Sequence, residues 1–144
     1  IVIGYGRVGK ELSRLLQGRG VPMVMVETDP DRVEQARNNG LITVRGNAAS
    51  EKTLKATRPD TAQLAILAIP QALEAGEIIA RFKAMNPAIS VLARAHSEAE
   101  VKHLLEHGAD AAVLAERELA YSLADMVMAT PPYRPARVEP AAAS

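Results

Sequence analysis

Cysteine is missing altogether from the 144 residues, tryptophan too, and the aromatic rings amount to one Phe and three Tyr. Without cysteine there is neither a disulfide framework nor a thiolate zinc site, a composition compatible with a reducing cytosol. So few rings leave no stacking platform for single-stranded nucleic acid. No excess of either charge exists: 17 Lys and Arg balance 17 Asp and Glu. No overall field therefore draws the chain to DNA or to anionic lipid. Long hydrophobic runs are missing as well, none approaching the ~20 apolar residues of a membrane-spanning helix. The chain opens without Met and without a secretory signal pattern, in an Ile1-Val2-Ile3 that reads as a β-strand. The expectation is a piece cut from a larger protein.

What is present is an ordinary globular composition, 48% hydrophobic and 24% charged, in a length that suits one domain with a buried core. Short apolar runs alternate with amphipathic stretches, the pattern of a parallel sheet covered by helices. The runs predict strands at Ile1–Ile3, Met23–Glu27, Leu41–Val44, Leu64–Ala68, Ile89–Ala93 and Ala111–Leu114, all apolar enough to be buried on both faces. Between them, a first helix runs from Arg7 to Gln17 with Val8, Leu12, Leu15 and Leu16 on its inner side. A second starts at Asp29 as N-cap with Pro30 at its first position and stops at Gly40. A short third begins near Ser50 and a fourth spans Gln71 to Met85. A fifth opens on the capping box Ser97 and Glu100 and closes at Gly108, and a last covers Glu116 to Ala129. This is an α/β fold, a doubly wound six-stranded parallel sheet of Rossmann type with order 3-2-1-4-5-6. The expected organisation is a nucleotide-binding domain over 1–115, a C-terminal helix over 116–130, and a flexible tail over 131–144, which holds four of the nine prolines.

The chemistry-bearing motif is Gly4-Tyr5-Gly6-Arg7-Val8-Gly9. It follows a strand, opens a helix, and precedes an acidic residue at the end of the next strand, three conditions that together raise a weak glycine pattern to a specific one. Gly4 allows the tight turn, Gly6 lets backbone approach a phosphate, and Gly9 lets the helix lie close to the sheet. The N–H groups of Arg7 and Val8 then face the phosphate at a helix N-terminus. Glu27, 23 positions after Gly4, sits where a carboxylate accepts hydrogen bonds from ribose hydroxyls and disfavours a 2′-phosphate. Thr28 stands beside it with a hydroxyl and a backbone contact to offer. Asp29 serves either the ligand or the cap of the second helix. Arg32 reads equally as a cover for the adenine face or as a surface charge. Asn47 and Ala48, in the loop Gly46-Asn47-Ala48-Ala49-Ser50, reach an adenine or ribose edge unless Asn47 is spent on an Asx turn. Ile69 and Arg94 border the other half of the cleft. The implied ligand is an adenine nucleotide, NAD(H) or AMP.

No catalytic set accompanies this site. His96 immediately precedes the Ser97 cap, His103 and His107 are spaced i, i+4 without a third metal ligand, and Tyr121 is followed four residues on by Asp125 where a Tyr-x-x-x-Lys pair would need lysine. Both imidazoles of the i, i+4 pair are expected to be exposed. Glu27→Ala, or a bulky residue at Gly6, is expected to remove nucleotide binding and leave the fold standing.

The ordered set Ile3-Gly4-Tyr5-Gly6-Arg7-Val8-Gly9, Val26-Glu27-Thr28-Asp29-Pro30-Asp31-Arg32-Val33, Gly46-Asn47-Ala48-Ala49-Ser50, Leu67-Ala68-Ile69-Pro70 and Ala93-Arg94-Ala95-His96 resembles the N-terminal RCK (regulator of potassium conductance, TrkA-N) domain. The resemblance covers positions 1–129 and is closest to the version fused to Kef-type monovalent cation:proton antiporters. It implies a regulatory domain, not an enzyme, at the cytoplasmic face of the cell membrane. Such a domain follows an antiporter membrane domain in the same full-length chain and senses NAD(H) or AMP. It also implies a homodimer in which the helix Glu116–Ala129 crosses to the partner, its apolar stripe of Leu119, Leu123, Met126 and Val127 covered there. Packing of that stripe on the chain's own sheet is the alternative. Many relatives carry Asp at Asn47 and Pro at Ala115, departures that bear on nucleotide preference and on how the last helix starts. The fold alone also admits an NAD-dependent oxidoreductase fragment, or an oligomerisation domain with a vestigial pocket.

Overall fold

The apolar runs become strands β1 (Val2–Ile3), β2 (Val24–Glu27), β3 (Ile42–Arg45), β4 (Leu64–Leu67), β5 (Ser90–Ala95) and β6 (Ala111–Leu114). They form one parallel sheet in the order β3-β2-β1-β4-β5-β6. The computed structural model describes residues 1–134 and divides into two units, Ile1–Leu114 and a second that begins at Ala115. In the first unit the helices are α1 (Arg7–Gly18), α2 (Pro30–Asn38), α3 (Glu51–Ala56), α4 (Ala72–Met85) and α5 (Glu98–Glu106).

Strand periodicity divides the core in two. Ile3 and Val26 join a cluster with Leu54, Ile78, Phe82 and Leu104, whereas their neighbours Val2 and Met25 join Tyr5, Ala36 and Leu41. Successive side chains point to opposite faces, so α3, α4 and α5 cover one face while α1 and α2 cover the other. Burial is deepest in the inner strands, although Leu64 at the start of β4 is exposed, and it fails at the edge, where Ile42 of β3 is 70% exposed.

Two helix starts follow from side-chain chemistry. Asp29 caps α2, its Oδ1 accepting from the amides of Asp31 at 2.8 Å and Arg32 at 3.2 Å. Ser97 caps α5 by accepting from Glu100 N at 3.1 Å. The returning half of that box is displaced by one residue, because the Glu100 carboxylate accepts from the amide of His96. α1 differs: Gly6 is its N-cap, no side chain caps it, and no acidic residue occupies its first turn. Its inner side also departs from expectation. Gly9 and Ser13 are buried, while Val8 and Leu15 are 43% and 48% exposed. Leu12 packs against the core as expected, but α1 lies so close to the sheet that its fully buried positions are small residues.

The far ends of α4, β5 and β6 are tied by one ion pair. Lys83 Nζ donates to Asp110 Oδ2 at 2.8 Å and also to the Ile89 carbonyl, and Val91 N donates to the same Asp110 oxygen at 2.7 Å. The Lys83 ammonium first, and then the Val91 amide, hold the Asp110 carboxyl below the ordinary aspartate value of 3.8. A depressed folded-state value stabilises the fold above the unfolded value, and that contribution is lost as pH falls through the folded one. Asp110→Asn should therefore lower the thermal midpoint at neutral pH by only a few degrees, since the Asp110 side chain is half exposed to screening solvent. The difference from wild type should close as melts are repeated below pH 3.8. A gap that persists into strong acid would show that the charge is not its source.

The second unit contains α6 (Ala115–Met128), one residue earlier at each end than the expected helix. None of its residues is buried. Leu119, Tyr121, Leu123, Met126, Val127 and Met128 are all exposed. Of the expected flexible tail, residues 131–134 form a turn; the rest lies outside the described residues. Among the described residues no helix is long and apolar enough to cross a membrane.

Candidate functional site

Strand order reverses between β1 and β4, and in open α/β sheets this opens a crevice at the carboxyl ends of the strands. Such a cleft, of about 630 Å³, is present here, with Gly4, Gly6, Arg7, Val8, Glu27, Thr28, Arg32, Asn47, Ala48, Ile69 and Arg94 in its wall. Its size suits a small organic ligand.

The three glycines do different work. Gly4 has φ +100° and its amide donates to Val26 O at 2.9 Å. A Cβ there would stand 2.9 Å from Ile69 Cγ2, so the turn passes against the end of β4. Gly9 carries α1 over that turn: a Cβ on it would lie 1.7 Å from the Gly4 carbonyl oxygen. Both are demanded by the fold. Gly6 is not. Its φ of −85° and ψ of −156° are extended backbone that any residue adopts, and a Cβ there would meet nothing nearer than Arg32 Nη1 at 3.9 Å. The space above Gly6 is open, directly before the uncapped amides of α1, where an anion is favoured.

Glu27 ends β2 and is 7% exposed. Its Oε1 accepts from Tyr5 N at 3.0 Å. Its Oε2 accepts from Thr28 N at 2.6 Å, Asp29 N at 2.9 Å and Thr28 Oγ1 at 3.3 Å. Arg32 Nη1 lies 3.8 Å from Oε1. The carboxylate thus pins together the ends of β1 and β2 before any ligand arrives, and Oε1 is the oxygen with acceptor capacity to spare.

Three of the sequence candidates are not in the cleft wall. Tyr5 turns its ring into the core, 4% exposed, where its hydroxyl accepts from Asn39 Nδ2 at 2.7 Å; only its backbone serves the site. Gly9 lies on the buried side of α1 against the Gly4 backbone, and Asp29 is spent on its cap. Asn47 is in the wall, and its Oδ1 forms the Asx turn by accepting from Ala49 N at 2.9 Å. Arg94 Nη1 donates to Ala68 O at 3.4 Å, and its Nη2 contacts His96 Nε2 at 2.9 Å. His96 itself lies outside the wall. Sequence reasoning missed Gln71 and Glu74, which enter from the first turn of α4. The available signal was that α4 follows β4, the strand at the reversal point. The i, i+4 histidines are not both exposed: His103 Nε2 is buried without a partner, and the two rings are 4.2 Å apart. A Cβ on Gly76 would stand 2.6 Å from that nitrogen, so the missing side chain lets α4 close over the ring. Among the described residues no three metal-ligating side chains cluster.

Residues 1–115 match the TrkA-N domain family. The chain is 41% identical over 132 residues to the putative cation/proton antiporter YbaL of Escherichia coli strain K12, an alignment covering 92% of this chain and 24% of that protein. It therefore spans about a quarter of that relative. The solved TrkA-N domain of the inner membrane protein ybaL from Escherichia coli superposes with a TM-score of 0.83 at 40% identity, covering 88% of this chain and 93% of that one. A Shewanella denitrificans Kef CTD in an AMP-bound form shares the fold, with a TM-score of 0.74 at 24% identity over 90% and 80% of the two chains.

Proposed function

The chain belongs to the TrkA-N domain family, and from that premise we propose that it binds an adenine nucleotide, AMP or NAD(H), and reports its presence to a transporter. The carrying observation is the open space over Gly6, between the bare first turn of α1 and the Glu27 carboxylate. A residue that the fold does not need as glycine leaves room for a phosphate, in the same cleft wall as an acceptor for hydroxyls. The cleft's titratable side chains are Arg7, Glu27, Arg32, Glu74 and Arg94, a set that suits holding an anionic ligand better than moving protons at a reacting centre. This supports sensing over catalysis.

In this reading the domain belongs to a monovalent cation:proton antiporter, at the cytoplasmic face and in the same full-length chain as its membrane domain. The nucleotide shifts transport only by binding one conformational state more tightly than another. Calorimetry of the purified domain with AMP and NADH tests the premise. Saturable binding of either in the micromolar range is expected, with guanosine monophosphate weaker; heat no larger than dilution at millimolar ligand would sink it.

Pairing of two domains through α6 belongs to the same proposal, its exposed stripe of Leu119, Leu123, Met126 and Val127 being the surface to cover. Sedimentation should show a dimer that the double substitution Leu123→Glu, Met126→Glu converts to monomer. A wild-type domain that stays monomeric at high concentration would remove this part.

A further inference from the structure

Arg32 occupies a place that helix energetics do not explain. It lies in the first turn of α2, where a cation opposes the helix dipole, and Asp29 has already capped that helix. Glu27 does not need it either, since four donors lie within 3.3 Å of the carboxylate oxygens. At 3.8 Å, and with 53% of its side chain exposed, the pair with Glu27 is a loose tether. Yet the same Nη1 that rests beside Glu27 Oε1 also stands 3.9 Å from where a Cβ on Gly6 would be. Arg32 therefore spans from the hydroxyl-accepting oxygen to the open space before α1.

We propose, resting on the nucleotide reading above, that Arg32 makes this cleft demand a 5′-phosphate. In this structure the guanidinium lies 3.8 Å from Oε1, the oxygen with acceptor capacity left. A ribose hydroxyl takes that side of the carboxylate, and the phosphate seated over Gly6 takes the guanidinium, whose planar fork matches it. A nucleoside brings the hydroxyl but no phosphate, so it must separate Arg32 from Glu27 and leaves the cation without a new partner. The site then discriminates nucleotides from nucleosides, and not among adenine nucleotides that share this phosphate.

Calorimetry with AMP and with adenosine on wild type, Arg32→Gln and Arg32→Lys tests this, with thermal melts confirming that each variant is folded. Arg32→Gln should weaken AMP about tenfold or more and leave adenosine unchanged or tighter, while Arg32→Lys recovers part of the AMP affinity. Equal losses for both ligands would place Arg32 on the base and overturn the proposal. Unchanged AMP affinity in Arg32→Gln would make it a surface charge and overturn it too. Wild-type protein that binds neither ligand would remove the nucleotide reading itself, and this proposal with it.

Discussion

Gly9→Ala should abolish folding of the domain, whereas Gly6→Val, three residues earlier in the same turn, should leave it folded and unable to bind nucleotide. The added methyl at Gly9 would overlap the Gly4 carbonyl oxygen at 1.7 Å, backbone against backbone, with no flexible side chain to give way. Overpacking a core commonly costs about 1–3 kcal/mol. Here α1 has to leave the sheet, so about 3 kcal/mol is a lower bound against a total stability on the order of 5–15 kcal/mol. At Gly6 the backbone is extended and the nearest atom to a new Cβ is the end of the Arg32 side chain, 3.9 Å away, so a side chain fits and the poorer N-cap costs about 1 kcal/mol. The valine instead fills the open space over Gly6, where the proposed phosphate would sit. Denaturant melts and calorimetry on the two variants separate the effects. A Gly9→Ala domain with native stability, or a Gly6→Val domain that binds AMP as wild type does, would show that the turn has been misread.

Glu27→Ala should lose both binding and stability, so it is not the clean probe that the sequence suggests. Truncation leaves the buried amide of Tyr5 without its acceptor and strips the part-buried amides of Thr28 and Asp29. An orphaned buried donor costs about 1–3 kcal/mol, and water reaches the other two. A loss of about 2–4 kcal/mol follows, or roughly 10 °C in thermal midpoint for a domain of this size. Glu27→Gln keeps one carbonyl oxygen and should fall between. Equal midpoints for Glu27→Ala and wild type would mean that the three amides do not depend on this carboxylate.

The sheet was legible because alternating apolar runs and amphipathic stretches leave few topologies open, and the order 3-2-1-4-5-6 stands. The tight turn after β1 was legible because the glycine spacing carries a backbone requirement, here visible at Gly4 and Gly9. Side-chain destinations were less so. Tyr5 sits within the motif, yet its ring packs with Val2 and Met25, since nothing local tells which face the turn presents. Helical periodicity put Val8 and Leu15 inward because it assumes that large apolar residues mark the buried face; close approach at Gly9 selects small ones. His103 was read as exposed because Gly76, 27 positions earlier in the chain, makes the room for its ring. Three of the four hydrogen bonds that commit Glu27 in advance come from main-chain amides, which leave no mark in a residue pattern.

That commitment has a consequence for how the domain breathes. Tyr5, Thr28 and Asp29 donate to the two oxygens of one carboxylate, so their amides are expected to exchange with solvent as one group rather than one by one. Whatever draws the Glu27 carboxylate toward a ligand loosens or tightens three points at once: the exit of β1, the end of β2 and the entry to α2. In deuterium exchange the three would slow or quicken together when the Glu27 carboxylate moves.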